Sequence, residues 1–280
     1  MKHALVIEGG GMKGAYSNGV LTAFERAGYR PFDLVAGTSA GGAMAAWYSA
    51  GQAEFAEATW NYARDKRIMD LWRFYSGRGP FLDHEALLTI VYEKEMPIDQ
   101  AAIRRSPHPV VVNASCVETG ETVHKDLRHA PIIPWLKATG RLPLASGHPV
   151  LIDGKHYLDG GITEHIPTEW AIAQGCKRIT AIVNKPPGLP TADNRFFTAL
   201  AARRYPKLAA GIRGHQQLKH QAITFLESPP KGIHVTIIRP ARPTGLHRLS
   251  RDLDTIRAGI LQGHRDGAAH LKALEKTGAS

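Results

Sequence analysis

Apolar residues in this chain follow two rhythms that alternate along its length. Short, nearly unbroken apolar runs fall at His3–Glu8, Phe32–Ala36, Pro109–Val117, Arg178–Val183 and Ile233–Arg239. Runs of this length, most of them bounded by glycine or proline, predict strands buried on both faces. Between them the spacing widens. Ala15, Val20, Leu21 and Phe24 share one face of a helix predicted over Ala15–Ala27, and Gly28 closes it. Further helices are predicted from Gly42 to about Ala50, over 53–75 and 83–94 with a break at Gly77-Arg78-Gly79-Pro80, over Glu164–Gly175, over 192–227 with a break at Pro206, and as a polar tail over 249–275. Val150-Leu151-Ile152 and Lys155-His156-Tyr157-Leu158 flank Asp153-Gly154, a strong hairpin signal, and Pro186–Pro190 reads as a loop. Strands alternating with helices imply an α/β fold with a largely parallel sheet. We expect one domain over 1–240, with 241–280 as a basic helical extension packed on it.

Composition narrows the function classes. The 280 residues are ordinary for a globular protein, 43% hydrophobic and 21% charged, and hold only two cysteines, Cys116 and Cys176. That argues against a disulfide framework and fits a reducing compartment. The first apolar run is too short for a secretory signal, and no run approaches the roughly 18 apolar residues of a spanning helix. A cytoplasmic protein is therefore expected, with peripheral contact at the inner membrane face left open by its charge. The formal net charge is +10. Much of the excess falls late, at Arg203, Arg204, Lys207, Arg213, Lys219, Arg239, Arg242, Arg248, Arg251 and Arg257. It reads either as a solvated surface or as a match to an anionic partner such as an acidic membrane face. Zinc-finger, RNP-like and basic-zipper patterns are lacking, so nucleic acid is not expected.

The candidate chemistry lies early. Gly37-Thr38-Ser39-Ala40-Gly41 follows a predicted strand and opens a predicted helix, the setting of a nucleophile elbow. Upstream, Gly9-Gly10-Gly11-Met12-Lys13-Gly14 also joins a strand to a helix and contains G-x-G-x-x-G. A dinucleotide site wants an acid at the end of the second strand. Asp33 stands at the start of that strand instead, and the Lys-Ser or Lys-Thr of a P-loop is missing. A glycine turn at a helix N-terminus also aims backbone N–H groups at an anion, as an oxyanion hole requires. A plain tight turn is the remaining reading. For the base, His165, His234, His247 and His264 all follow Asp159, the order of an α/β-hydrolase triad. That fold places several strands before its elbow, however, and here one or two precede Ser39. Asp159, followed by Gly160-Gly161, is the other candidate base, or else a turn former; Asp153 before Gly154 reads as a turn residue only.

Taken together, Gly-Gly-Gly-Met-Lys-Gly at 9–14, Gly-Thr-Ser-Ala-Gly at 37–41 and Asp-Gly-Gly at 159–161 resemble the patatin-like phospholipases. The resemblance extends to Tyr157-Leu158 and Ile166-Pro167 and covers residues 3 to about 184. It implies a three-layer fold, a largely parallel central sheet flanked by helices. It also implies a serine acyl-hydrolase acting on lipid esters, phospholipids or lysophospholipids foremost, with no metal or other cofactor. Ser39 would be the nucleophile and Asp159 the general base, with no histidine needed. The amides of Gly10, Gly11, Met12 and Ala40 would form the oxyanion hole. Gly9, Gly14, Gly37, Gly41, Gly160 and Gly161 complete the motifs, and Lys13 fills the family's basic position in the glycine loop. The mechanism asks for an Asp159 pKa raised toward working pH by a partly dehydrated pocket. Two departures stand out. Ala138-Thr139-Gly140-Arg141-Leu142-Pro143 puts a bulky cation where the family carries a small residue, and His165 stands where asparagine is common. We expect His165 to be packed or exposed rather than part of a triad. Trp47, Trp72, Phe74 and Phe81 are core or acyl-pocket candidates. The alternatives are a carboxylesterase for small soluble esters and a nucleotide-binding module built on Gly9–Gly14.

Overall fold

The computed structural model describes residues 1–188 and 195–277. Eight strands among them form one sheet: β1 (Lys2–Ile7), β2 (Leu34–Thr38), β3 (Val110–Cys116), β4 (Thr122–Asp126), β5 (Val150–Ile152), β6 (Lys155–Asp159), β7 (Cys176–Ile182) and β8 (His234–Ile238). The helices are α1 (Gly14–Arg26), α2 (Ala40–Ser49), α3 (Ala53–Ala56), α4 (Leu71–Tyr75), α5 (His84–Ala86), α6 (Gln100–Arg104), α7 (Ile132–Thr139), α8 (Thr168–Ala173), α9 (Arg195–Arg204), α10 (Ala209–Glu227) and α11 (Leu253–Thr277).

The path across the sheet is β5-β6-β3-β2-β1-β7-β8, with β4 also on β3. Strands β3, β2, β1, β7 and β8 run parallel, and β4, β5 and β6 are the antiparallel additions. The uninterrupted apolar character of β1 follows from burial on both faces. Leu5 and Ile7 pack with Val20, Met44, Trp135 and Ile260 from α1, α2, α7 and α11. Ala4 and Val6 point the other way, toward Ala171 and Leu226 of α8 and α10. The result is a helix–sheet–helix sandwich with an apolar layer on each side of the sheet.

The register around β3 decides where chemistry can happen. β4 pairs with Val111–Ser115, which occupies one edge of β3. The other edge is shared end to end: β2 takes Val110–Asn113 in parallel, and β6 takes Ala114–Cys116 in antiparallel. The C-termini of β2 and β6 therefore face each other, Thr38 opposite Asn113 and Asp159 opposite Ala114. Two segments far apart in sequence meet because one strand hands over to another along a single edge.

Local departures from the sequence reading have local causes. The stretch 53–75 is not one helix but α3, a 3-10 run over Glu57–Arg64, and α4. Asp65 accepts the Arg67 N–H and Asp70 the Trp72 N–H, so each carboxylate ends or restarts the chain direction where a helix would continue. The 83–94 segment begins as α5 and widens into a π-helical turn over Leu87–Glu95. β4, α6 and α7 fall where the apolar spacing predicts no element. Trp47 and Phe81 are core, whereas Trp72 is 72% exposed. The hairpin turn holds Asp153 and Gly154 both at positive φ, 49° and 77°, as a type I′ turn requires. Residues 189–194, where part of the predicted loop and the start of the 192–227 helix fall, lie outside the described residues. β8 adds residues 234–238 as the edge strand beyond β7, part-exposed rather than buried on both faces, and α11 packs along α1. A Cβ on Gly263 would sit 2.1 Å from the Tyr16 carbonyl oxygen, and that closeness explains the small residue there.

Candidate active site

Ser39 stands between β2 and α2 with φ 55° and ψ −126°. A side chain in that region of backbone space is strained by roughly 1–3 kcal/mol. The surrounding turn leaves no room for relaxation. A Cβ on Gly37 would lie 2.2 Å from the Gly41 carbonyl oxygen, and one on Gly41 would lie 2.4 Å from that of Ile7. Glycine at both positions lets β1, β2 and α2 approach closely enough to lift the serine out of the sheet. Its own N–H is held by Thr139 Oγ1 at 2.8 Å.

Asp159 ends β6 and is 5% exposed. Its Oδ2 accepts the Ser39 hydroxyl at 2.7 Å, and its Oδ1 accepts the Gly161 N–H at 2.7 Å. The main chain is pinned as well: Asp159 N–H donates to Arg141 O at 2.9 Å, and Ser115 Oγ donates to Asp159 O at 2.8 Å. Burial raises the carboxyl above its ordinary range, a rise that the Ser39 and Gly161 hydrogen bonds and the Arg248 charge only partly offset. The group is held fixed, aimed at the hydroxyl, and made more basic by its surroundings.

The glycine loop leans on the elbow. A Cβ on Gly9 would come 3.2 Å from Ser39 Cβ, and one on Gly14 would come 3.1 Å from Ala40 Cβ. Of the four amides expected to face an oxyanion, Met12 N–H is already engaged, donating to Arg248 O at 3.1 Å. No such acceptor meets the amides of Gly10, Gly11 or Ala40 among the described residues. Lys13 closes the 3-10 turn Gly11–Lys13, and its ammonium falls to a pKa of about 8 through burial and the nearby charges of Lys219, Arg248 and Lys185.

Arg141 does not reach into the site. It is 7% exposed, its guanidinium turned to Ser146 O and Glu85, while its carbonyl braces Asp159. His165 is 4% exposed and faces Glu8, with Nε2 3.1 Å from Oε1, rather than Asp159. Asp33 lies at the far end of the sheet from the glycine loop, accepting His3 N–H at 2.8 Å, so it is not placed to meet a ribose bound at that loop.

Several further residues of the site carry little or no sequence signal. Glu8, fully buried, takes Lys219 Nζ at 2.5 Å, His165 Nε2, and the Asn184 N–H at 2.5 Å. Thr139 and Lys219 are single polar residues whose partners lie 100 or more positions away; His215 meets partners 54 and 33 positions away, and Arg248 meets Met12 and, 33 positions away, His215. Glu8 alone had a hint, as a charge adjoining the glycine motif.

Residues 5–172 match the model of the family described as patatin-like phospholipase. The chain belongs to that family. Residues 205–277 match a second model, a domain of unknown function. The patatin-like chain is 27% identical over 290 residues to uncharacterized protein YjjU of Escherichia coli, covering 98% of this chain and 78% of that protein. It is 29% identical over 188 residues to lysophospholipase NTE1 of Mycosarcoma maydis and 30% identical over 196 residues to human patatin-like phospholipase domain-containing protein 6. Those two matches cover 65% and 64% of the chain but only 10% and 13% of the longer proteins. Among solved structures it resembles VipD from Legionella pneumophila, with a TM-score of 0.49 and 12% identity over 97% of this chain and 67% of that one.

Proposed function

We propose that this patatin-like protein is a serine acyl-hydrolase that cleaves carboxylic esters of lipids, phospholipids or lysophospholipids foremost, through Ser39 and Asp159. The carrying observation is the 2.7 Å hydrogen bond from Ser39 Oγ on a strained elbow to a buried Asp159 Oδ2. Asp159 takes the hydroxyl proton as Oγ attacks the ester carbonyl carbon. The tetrahedral oxygen draws its negative charge toward the amides of Gly10, Gly11 and Ala40 at two helix N-termini. Collapse breaks the bond to the alcohol, which leaves with the proton from Asp159, and an acyl-Ser39 remains. Water then attacks the acyl carbon while Asp159 accepts its proton; the acid departs and Ser39 regains a proton. A raised carboxylate pKa suits both steps, because a base near its working pH transfers protons in either direction. The family membership and the lysophospholipase named among its relatives favour lipid esters over small soluble ones. The net charge of +10 supports peripheral attraction to an anionic membrane surface.

The test is labelling with a fluorophosphonate probe alongside hydrolysis of phospholipid vesicles and of short-chain soluble esters. Wild type labels and turns over lipid, while Ser39→Ala and Asp159→Ala do neither. Unlabelled wild type would sink the hydrolase reading. Turnover of soluble esters alone would move the protein to the small-ester class. Stabilisation by nucleotide together with an inert Ser39 would support a binding module. Vesicle binding that persists at high salt would remove the electrostatic membrane contact.

A further inference from the structure

We propose that Arg248, in the C-terminal region, is a positioning residue that joins the two halves of the catalytic site and acts on Asp159 through His215. The inference rests on the Ser39–Asp159 reading above and assigns the C-terminal region a part in it.

The hydrogen bonds run in one direction. The Arg248 guanidinium, which has only donors, lies 2.8 Å from His215 Nε2, so that nitrogen must accept. The ring proton therefore sits on Nδ1, which donates to Gly161 O at 3.2 Å. Gly161 in turn gives its N–H to Asp159 Oδ1 at 2.7 Å, leaving Oδ2 for the Ser39 hydroxyl at 2.7 Å. Gly161 is thus held at both its carbonyl and its amide, and the carboxylate hangs from the amide. Without the imidazole, nothing else among the described residues bonds that carbonyl, and the Gly160-Gly161 turn has little intrinsic stiffness.

His215 is suited to such a task. Burial keeps its ring neutral, together with the adjoining His165, Arg248 and Lys219, so the single tautomer is maintained. The His165 ring meets it edge-on at 5.3 Å. His215 is carried by α10, a helix that also sends Lys219 to the buried Glu8 beneath the glycine loop.

The other end of Arg248 reaches the opposite half of the site. Its carbonyl oxygen takes Met12 N–H at 3.1 Å. It also lies where a Cβ on Gly11, at φ 56°, would come within 2.6 Å. One residue therefore anchors the glycine loop with its main chain and the Asp159 turn with its side chain. The described contacts place it between the two parts of the site that must keep a fixed spacing during acyl transfer.

The experiment uses the full chain with His215→Phe, His215→Asn, Arg248→Met and the double variant His215→Phe/Arg248→Met. Turnover is read on a short-chain p-nitrophenyl ester, and hydrogen exchange on peptides spanning 156–163. We expect His215→Phe and Arg248→Met each to lower kcat roughly 10- to 100-fold through misplacement of the carboxylate. KM should stay within about twofold, because substrate binding is not the function removed. The double variant should be no worse than His215→Phe, since both act through one chain of contacts. His215→Asn, whose amide can still donate to Gly161 O, should recover part of the lost kcat. Exchange at 156–163 should quicken in His215→Phe and Arg248→Met. Wild-type kcat in His215→Phe, losses that multiply in the double variant, or unchanged exchange at 156–163 would each overturn the proposal. The exchange readout needs no activity. A wild type that neither labels with the fluorophosphonate probe nor turns over ester, with exchange responding as expected, therefore sinks the hydrolase reading while keeping this contact chain; normal wild-type activity with unresponsive variants does the reverse.

Discussion

Two buried carboxylates sit at the C-terminal ends of strands in the same sheet, and their surroundings drive them in opposite directions. Asp159, after β6, has as near partners a hydroxyl and a backbone amide, both neutral. Burial therefore wins, and its pKa rises. Glu8, after β1, is fully buried too, and burial alone pushes it up. Lys219 at 2.5 Å and His165 at 3.1 Å more than reverse that, and the carboxyl is held well below the ordinary range. Burial by itself does not decide what an acid can do. The charge of the nearest donor decides, because a neutral donor leaves the anion costly and therefore basic, while a cation satisfies it and takes its basicity away. In the proposed mechanism Asp159 is the group that accepts a proton; Glu8 is a strut between β1 and α10.

The largest effect expected from this contrast is catalytic. Asp159→Asn should lower ester hydrolysis by about 10⁴-fold, as loss of a member of a nucleophile–base pair does elsewhere. Glu8→Gln, assayed per folded molecule, should keep turnover within about tenfold of wild type. Equal losses in the two variants would erase the distinction between base and strut.

Next in size is a stability effect with the reverse ranking. Glu8→Gln or Lys219→Met leaves an uncompensated buried charge or a broken pair and should cost about 3–5 kcal/mol in urea unfolding. The double variant Glu8→Gln/Lys219→Met should cost clearly less than the two singles combined. Simple additivity would mean that the two side chains do not function as a pair.

The pH dependences should also diverge. Glu8 has a folded-state pKa below its unfolded value of about 4.3, so its contribution to stability is present above that value and is lost as pH falls toward the folded pKa. Asp159 is raised instead. Its folded carboxylate is disfavoured, so it costs stability as pH rises from about 3.9 through its folded pKa. Glu8→Gln should accordingly flatten the acid limb of a stability-versus-pH curve, whereas Asp159→Asn should steepen it. Fluorophosphonate labelling of wild type should climb with pH through a titration lying above the ordinary aspartate value. A labelling midpoint at or below that value would contradict a raised Asp159.

The smallest catalytic effect belongs to His165, which serves Glu8 and not Asp159. His165→Ala should change turnover by no more than about tenfold while costing roughly 1–3 kcal/mol for the partner it strands. Abolition of acyl transfer as complete as that in Asp159→Ala would make His165 part of the catalytic machinery.

Much of the site was legible in the sequence because it depends on chain geometry over a few residues. Gly37 and Gly41 are required by backbone contacts within one turn, and Gly9–Gly14 by a strand-to-helix junction. Such requirements leave glycines at fixed spacing for a reader to find. The hairpin turn at Asp153-Gly154 was legible for the same reason. Over 53–75 the apolar spacing suits a single helix, but Asp65 and Asp70 act on the backbone locally and break it. For Arg141 the sequence records bulk but not direction; its side chain turns to Ser146 and Glu85.

The sequence by itself determined the strand–helix alternation, the sharp turn at Ser39, the glycine loop and the reading of Asp153 as a turn residue, while Asp159 stood out as a base only through the family resemblance. The former follow from sterics and hydrogen bonding inside short segments. Tertiary structure decided that β2 and β6 end against each other on one edge of β3, which brings Ser39 within 2.7 Å of Asp159. It also decided which buried acid meets a cation and that α10 and the segment around Arg248 return to the site. Those outcomes depend on packing between segments as distant in the chain as Glu8 and Lys219 or Met12 and Arg248, and a lone Lys219, His215 or Arg248 carries no local trace of the partner it will meet.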